Sequence, residues 1–173
     1  MQLDVSSFNK KIADNKRYSL VAEMSPLDVD GDRPSFVGPV SVLLEANSVD
    51  EAIAISGIIS ARLTMRCGRC LETYEHGVEV PFSEVYARSL AETNGEEVLY
   101  AGDFIDIEPE VIKTVILSLP MRAICREDCQ GLCVTCGCNL NHGLCQCPVD
   151  DIDPRLNALK DIFKTTNSKE ETN

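Results

Sequence analysis

Nine cysteines in a 173-residue chain, seven of them in one stretch, constrain the fold more than any other feature. That stretch, Cys125 to Cys147, reads CREDCQGLCVTCGCNLNHGLCQC, and the remaining two, Cys67 and Cys70, form a distant Cys-x-x-Cys. Zinc in a structural site takes four thiolate or imidazole ligands in a closed tetrahedron, and a Cys-x-x-Cys turn presents two sulfurs to one ion without strain. Cys133-x-x-Cys136-Gly137 is such a knuckle, and its partner is Cys145-x-Cys147, reached across a loop short enough to close at little entropic cost. Cys133, Cys136, Cys145 and Cys147 are therefore assigned to one zinc. Cys67, Cys70, Cys125 and Cys129 complete a second four-thiolate set, which ties the C-terminal segment to the sheet. Cys138 is surplus, and either Cys138 or His142 stands open as a substitute for one of these ligands.

The disulfide reading is the minor one if the chain is cytosolic, because cytosolic thiols are kept reduced. No apolar run approaches about 18 residues, and Met1 to Leu20 lacks the order of a signal peptide, so the expected location is cytoplasmic, without a membrane partner. A chain of this length buries roughly 70% of its unfolded surface, so metal is not needed merely to compensate for a small core. Even so, an apparent 10–16 kcal/mol per structural zinc, on the order of a whole domain's net stability, lets metal decide whether the cysteine-rich region folds. The formal charge is −12, and eight thiolates on two zinc ions would take it to about −16. Attraction of the whole chain to nucleic acid is not expected, so any contact with RNA must be local.

Alternation of period two marks the strands. Tyr18, Leu20 and Ala22 share one phase, as do Val40, Val42, Leu44 and Ala46. From Ala52 to Arg66, Ile53, Ile55, Ile59, Ala61, Leu63 and Met65 form a core face opposite Ser56, Ser60, Arg62, Thr64 and Arg66. Gly57 interrupts this strand and reads as a bulge or bend. After Cys67-Gly68-Arg69-Cys70 the alternation resumes with Tyr74, Val78, Val80, Phe82 and Tyr86, which makes the first Cys-x-x-Cys the tip of a long hairpin. His76 shares this phase and reads as a buried, hydrogen-bonded histidine. Glu92 to Asp103 reads as a solvated mobile loop. Pro109 opens a helix whose stripe of Val111, Ile112, Val115, Ile116 and Leu119 packs on the sheet before Pro120 ends it. Asp153 and Pro154 start a last helix carrying Leu156, Leu159 and Phe163, and Thr165 to Asn173 is a frayed tail. The resulting expectation is an α+β fold: a curved antiparallel β-sheet with one or two packed helices and a C-terminal cysteine-rich zinc-binding segment. The corresponding divisions are 1–124 for the sheet and helix, 125–150 for the zinc segment and 151–173 for the helix and tail.

Sharper chemistries fit less well. Asp28, Asp30 and Asp32 resemble a calcium loop, but Gly31 comes too early and Pro39 stands where the closing glutamate belongs. Cys129-x-x-x-Cys133-x-x-Cys136 has the spacing of radical S-adenosylmethionine enzymes, which need a large barrel after the motif. A thioredoxin-like role would place Cys67 and Cys70 at a helix start, whereas here they join antiparallel strands. No residue is assigned a catalytic role. Arg62, Arg66, Arg69, Arg122 and Arg126 cluster around the halves of the second cysteine set. They read equally as a local RNA-phosphate contact or as guanidinium groups neutralising a tetrathiolate.

Cys67-Gly68-Arg69-Cys70-Leu71-Glu72, Cys125-x-x-x-Cys129-Gln130-Gly131-Leu132-Cys133-x-x-Cys136-Gly137, Asn139-Leu140-Asn141, Cys145-x-Cys147 and Asp153-Pro154-Arg155 together closely resemble the YceD family of large-subunit ribosomal RNA accumulation proteins. The resemblance runs roughly from Leu43 to Phe163. It departs at Val134, where proline is common, and in the extra Cys138. It implies a non-enzymatic ribosome-biogenesis factor that promotes synthesis, processing or stability of the large-subunit (23S) RNA. The implied partners are ribosomal RNA or large-subunit assembly intermediates, and the acidic balance adds basic ribosomal proteins. A zinc storage or transfer protein is the alternative, with a thiol-redox or zinc-dependent enzyme behind it.

Overall fold

A computed structural model of the chain describes residues 1–11, 13–27, 34–49, 52–88 and 97–147. The acidic turn at Asp28, Asp30 and Asp32, the last helix from Asp153 and the tail from Thr165 lie outside the described residues. The chain divides into two compact units, Met1–Gln130 and Gly131–Asn173.

Unit one contains β1 (Gln2–Asp4), α1 (Ser6–Asn9), β2 (Asn15–Ala22), β3 (Ser35–Phe36), β4 (Val40–Val49), β5 (Ala52–Arg66), β6 (Thr73–Ala87), β7 (Val98–Leu99), β8 (Phe104–Asp106) and α2 (Glu108–Ser118). The main sheet has the order β2-β4-β5-β6-β7, β3 also pairs with β5, and β1 and β8 form a separate ribbon. The α+β class expected from the alternation is the class observed. Ile53, Ile55, Ile59, Ala61, Leu63 and Met65 are all buried, and Ser56, Ser60, Arg62 and Arg66 on the opposite face are exposed. That is what a strand with one apolar side does when only one of its faces can leave water. The helix buries Val111 and Val115. It lies against β6, where Lys113 reaches Glu84 of that strand at 3.6 Å and Glu110 of its own helix at 2.8 Å.

The strands β5 and β6 are each 15 residues long and pair without interruption from Ala52↔Ala87 to Arg66↔Thr73. At about 3.4 Å per residue the hairpin extends roughly 50 Å.

Three expectations change. Gly57 is not a bulge, because the register runs continuously through Leu44↔Gly57 on one side and Gly57↔Phe82 on the other. The glycine is there because β4 comes too close for a side chain. A Cβ at Gly57 would collide with the Leu43 carbonyl oxygen and lie 2.9 Å from the Leu43 carbonyl carbon and the Leu44 Cα. The stretch from Glu92 to Asp103 is not wholly a loop. Val98 and Leu99 pair in parallel with Tyr86 and Ala87, and the Tyr100 amide donates to the Ala87 carbonyl at 3.0 Å. His76 keeps the phase of its strand but is half-buried rather than buried, with its ring edge-on to Tyr74 at 6.4 Å between centroids. It lies toward the hairpin tip, opposite Leu63.

Replacing Gly57 with alanine should destabilise unit one by about 1–3 kcal/mol, because backbone rather than a flexible side chain must move. Urea denaturation of the Gly57→Ala chain against the parent measures this.

Candidate metal centres

The first cysteine set is built on the hairpin tip. Six residues, Cys67 to Glu72, join β5 to β6. The Cys67 amide donates to the Glu72 carbonyl at 2.8 Å and the Leu71 amide to the Cys67 carbonyl at 2.9 Å. Closing so tight a tip forces Leu71 to φ 61°, in the left-handed region that non-glycine residues avoid. Its carbonyl accepts from Arg66 Nε at 3.2 Å. The segment after α2 docks here through its backbone, with the Gly68 amide donating to the Ala123 carbonyl at 2.8 Å.

This docking brings Cys125 and Cys129 against the tip. The sulfurs of Cys67 and Cys129 lie 3.9 Å apart and those of Cys70 and Cys125 3.7 Å apart, and all four lie within 4.8 Å of one another. A tetrahedron with Zn–S bonds of about 2.3 Å has sulfur–sulfur edges of about 3.8 Å, so the donor set fits such an ion. Cys67, Cys70 and Cys129 are buried and Cys125 is half-buried.

The surroundings favour thiolates unevenly. Burial opposes ionisation of Cys67, but the amides of Cys70, Cys125 and Arg69 point at its sulfur and hold its thiol down to about 6. Burial, together with the sulfurs of Cys67, Cys129 and Cys70, pushes Cys125 up to about 12. One thiolate therefore forms readily, and full deprotonation requires a cation at the centre of the four.

The second set lies wholly in unit two. Gly137 follows the knuckle at φ 72°, a conformation open to glycine that lets the chain fold back on Cys133. The Gly137 amide donates to the Cys133 carbonyl and the Cys133 amide to the Cys138 carbonyl, each at 2.8 Å. An isolated antiparallel bridge, Leu132↔Asn139, brackets the turn. Cys133, Cys136, Cys145 and Cys147 also place their sulfurs within 4.8 Å of one another. Amides of Cys136 and Thr135 hold the Cys133 thiol down to about 6, while contact with Cys136 and burial push Cys147 up to about 12. This set is open to water: Cys136 is exposed and the other three are half-buried. Neither Cys138 nor His142 belongs to either group of four.

The five arginines separate by what they touch. Arg69 Nη1 donates to the backbone carbonyls of Glu127 and Cys129, both at 3.0 Å, and so fixes the segment that carries two of the ligands. Arg66 holds the tip. Arg126 faces Asp128 at 3.3 Å, and Arg122 is exposed. Arg62 is exposed opposite Gly77, while Glu75 stands opposite Thr64 and Glu79 opposite Ser60. Both acids are therefore diagonal neighbours of Arg62 on the same face. Spacing along one strand could not show this, because the acids come from the other.

Residues 55–163 match the family described as large ribosomal RNA subunit accumulation protein YceD. The chain belongs to the YceD family. An uncharacterized protein of Mycobacterium leprae is 32% identical over 134 residues, covering 72% of this chain and 59% of its own length. Another, of Mycobacterium tuberculosis, is 34% identical over 131 residues, with coverages of 69% and 60%. The Zea mays protein named large ribosomal RNA subunit accumulation protein YCED homolog 1, chloroplastic, is 26% identical over 171 residues, with coverages of 80% and 57%. The chain thus spans less than two thirds of the length of these relatives. No solved structure matches it. No helix among the described residues is long and apolar enough to cross a membrane.

Arg69→Ala should destabilise unit one by about 1.5–3 kcal/mol, the usual range for hydrogen bonds from a charged donor. Arg62→Ala should stay within about 0.5 kcal/mol. Paired denaturant titrations distinguish a positioning guanidinium from a solvated one.

Proposed function

We propose that this chain is a non-enzymatic, cytoplasmic ribosome-biogenesis factor that promotes accumulation of large-subunit ribosomal RNA and carries two structural zinc ions. The observation that carries the reading is that one family match, over residues 55–163, spans all eight cysteines of the two sets. Four thiolates close the coordination of a zinc ion and leave no position for a substrate or an activated water. In this reading Cys67, Cys70, Cys125 and Cys129 hold one ion, and Cys133, Cys136, Cys145 and Cys147 hold the other. The metal's part is to cross-link chain.

Charge supports contact with basic ribosomal proteins or assembly intermediates over extended contact with RNA. The formal charge is −12, and Glu75 and Glu79 flank Arg62 on the face where a phosphate-binding strip would lie. An acidic surface steers association with basic partners and repels a bare phosphate backbone.

Tagged protein should co-sediment with large-subunit precursors on ribosome gradients at physiological salt, and depletion should lower large-subunit RNA relative to small-subunit RNA. A protein that stays at the top of the gradient, with unchanged RNA ratios on depletion, refutes the reading.

Changing Cys67 and Cys70 together to serine should lower zinc content by about one per chain and leave the second set occupied. Elemental analysis of protein purified without chelator measures this, and loss of no zinc refutes the pairing.

A further inference from the structure

Two four-thiol sets meet at similar sulfur separations, yet their surroundings differ in a way that holding two ions does not require. The first is shielded, with three buried cysteines, and Arg69 pins the backbone beneath it. The second has an exposed member, Cys136, and a fifth thiol at its side. Cys138 lies within hydrogen-bonding reach of Cys136 and Cys145. The Cys138 carbonyl accepts from the Cys133 amide at 2.8 Å, so the turn itself fixes its backbone beside the knuckle. Metal closure needs four sulfurs and leaves this one over.

We propose that Cys136 and Cys138 form an oxidation site: peroxide converts them to a disulfide and opens the second metal set, while the first set stays closed. The inference rests on the reading that both sets hold metal. Cys136 is the only member of the eight classed as exposed, so its sulfur is the one a small peroxide meets first. That sulfur attacks one peroxide oxygen: the S–O bond forms, the O–O bond breaks, and the departing hydroxide takes a proton and leaves as water. The Cys138 thiol then attacks the sulfenic sulfur. The S–S bond forms, the S–O bond breaks, and the second oxygen leaves as water with the thiol's proton. Two thiols have lost two electrons in all, and one peroxide has become two waters. Cys133, Cys145 and Cys147 are left as three thiolates, too few to close a tetrahedron. An exposed disulfide of this kind is readily reduced, so thiol reductants should restore the four-ligand set. The first set has no fifth cysteine beside its four to resolve a sulfenic acid, and burial of Cys67, Cys70 and Cys129 hinders access of peroxide.

The test uses the full-length zinc-loaded chain, hydrogen peroxide and a chromogenic zinc indicator. The expected result is release of one zinc per chain, a Cys136–Cys138 disulfide in peptide mapping, and recovery of binding after treatment with dithiothreitol and zinc. Cys138→Ser, which leaves all eight ligands in place, should still bind two zinc ions and should release the second at least about tenfold more slowly, since the one neighbouring thiol that the ion does not hold is gone. Equal release rates in the parent and Cys138→Ser overturn the proposal. So does a disulfide joining Cys138 to Cys145, which moves the first oxidation away from Cys136, and so does loss of zinc from the first set at the same rate. A parent chain purified with fewer than two zinc ions instead overturns the metal reading beneath it.

Discussion

Cys67 and Cys70 can meet Cys125 and Cys129 only because the β5–β6 hairpin is held in one register along its whole length. A slip of one residue would turn Ile53 through Met65 to water and carry the tip cysteines to the wrong side of the turn. The buried face of β5 enforces the register, and Gly57 allows β4 to pack closely enough to complete it. The tip inherits that rigidity and adds the Cys67–Glu72 and Leu71–Cys67 backbone bonds, so its two sulfurs are placed before any partner arrives. Preplaced ligands reduce the conformational entropy lost when an ion binds.

The two sulfur sets answer different physical problems. The first joins pieces of chain far apart in sequence and lies where water is excluded, with amides aimed at Cys67 to stabilise charge in a place that otherwise opposes it. The second closes a short loop that has little apolar surface of its own to bury. For such a segment metal–sulfur bonds take the place of a hydrophobic core.

The strands with one wet and one dry side were legible in the sequence, and β5 at Ala52–Arg66 down to its ends, because period-two burial is a local property. The grouping of cysteines into fours was legible for a related reason: ligand spacing within each half is set by turn geometry. What stayed hidden depends on register between strands. Gly57 in a sequence looks alike whether it bulges or yields to a neighbour, and only its pairing with Leu44 distinguishes the two. Val98 and Leu99 are too short a strand to show alternation, and their partner is β6, across a parallel pairing no hairpin signal announces. Arg62 looked like part of a basic strip until the facing strand set Glu75 and Glu79 beside it.

The span of each sulfur set also bears on the order in which the chain matures. Cys67 and Cys129 are 62 positions apart, so their meeting waits until the hairpin has zipped and α2 has docked. The knuckle and its partner are separated by a few turns of chain and can find each other on the timescale of local loop closure, without the sheet. A nascent chain emerges with Cys67 and Cys70 first, yet these must stay reduced and unpartnered until Cys125 and Cys129 have been made. The earliest cysteines made are thus the last to find their partners, and the four sulfurs of the first set come together only where unit one has folded correctly.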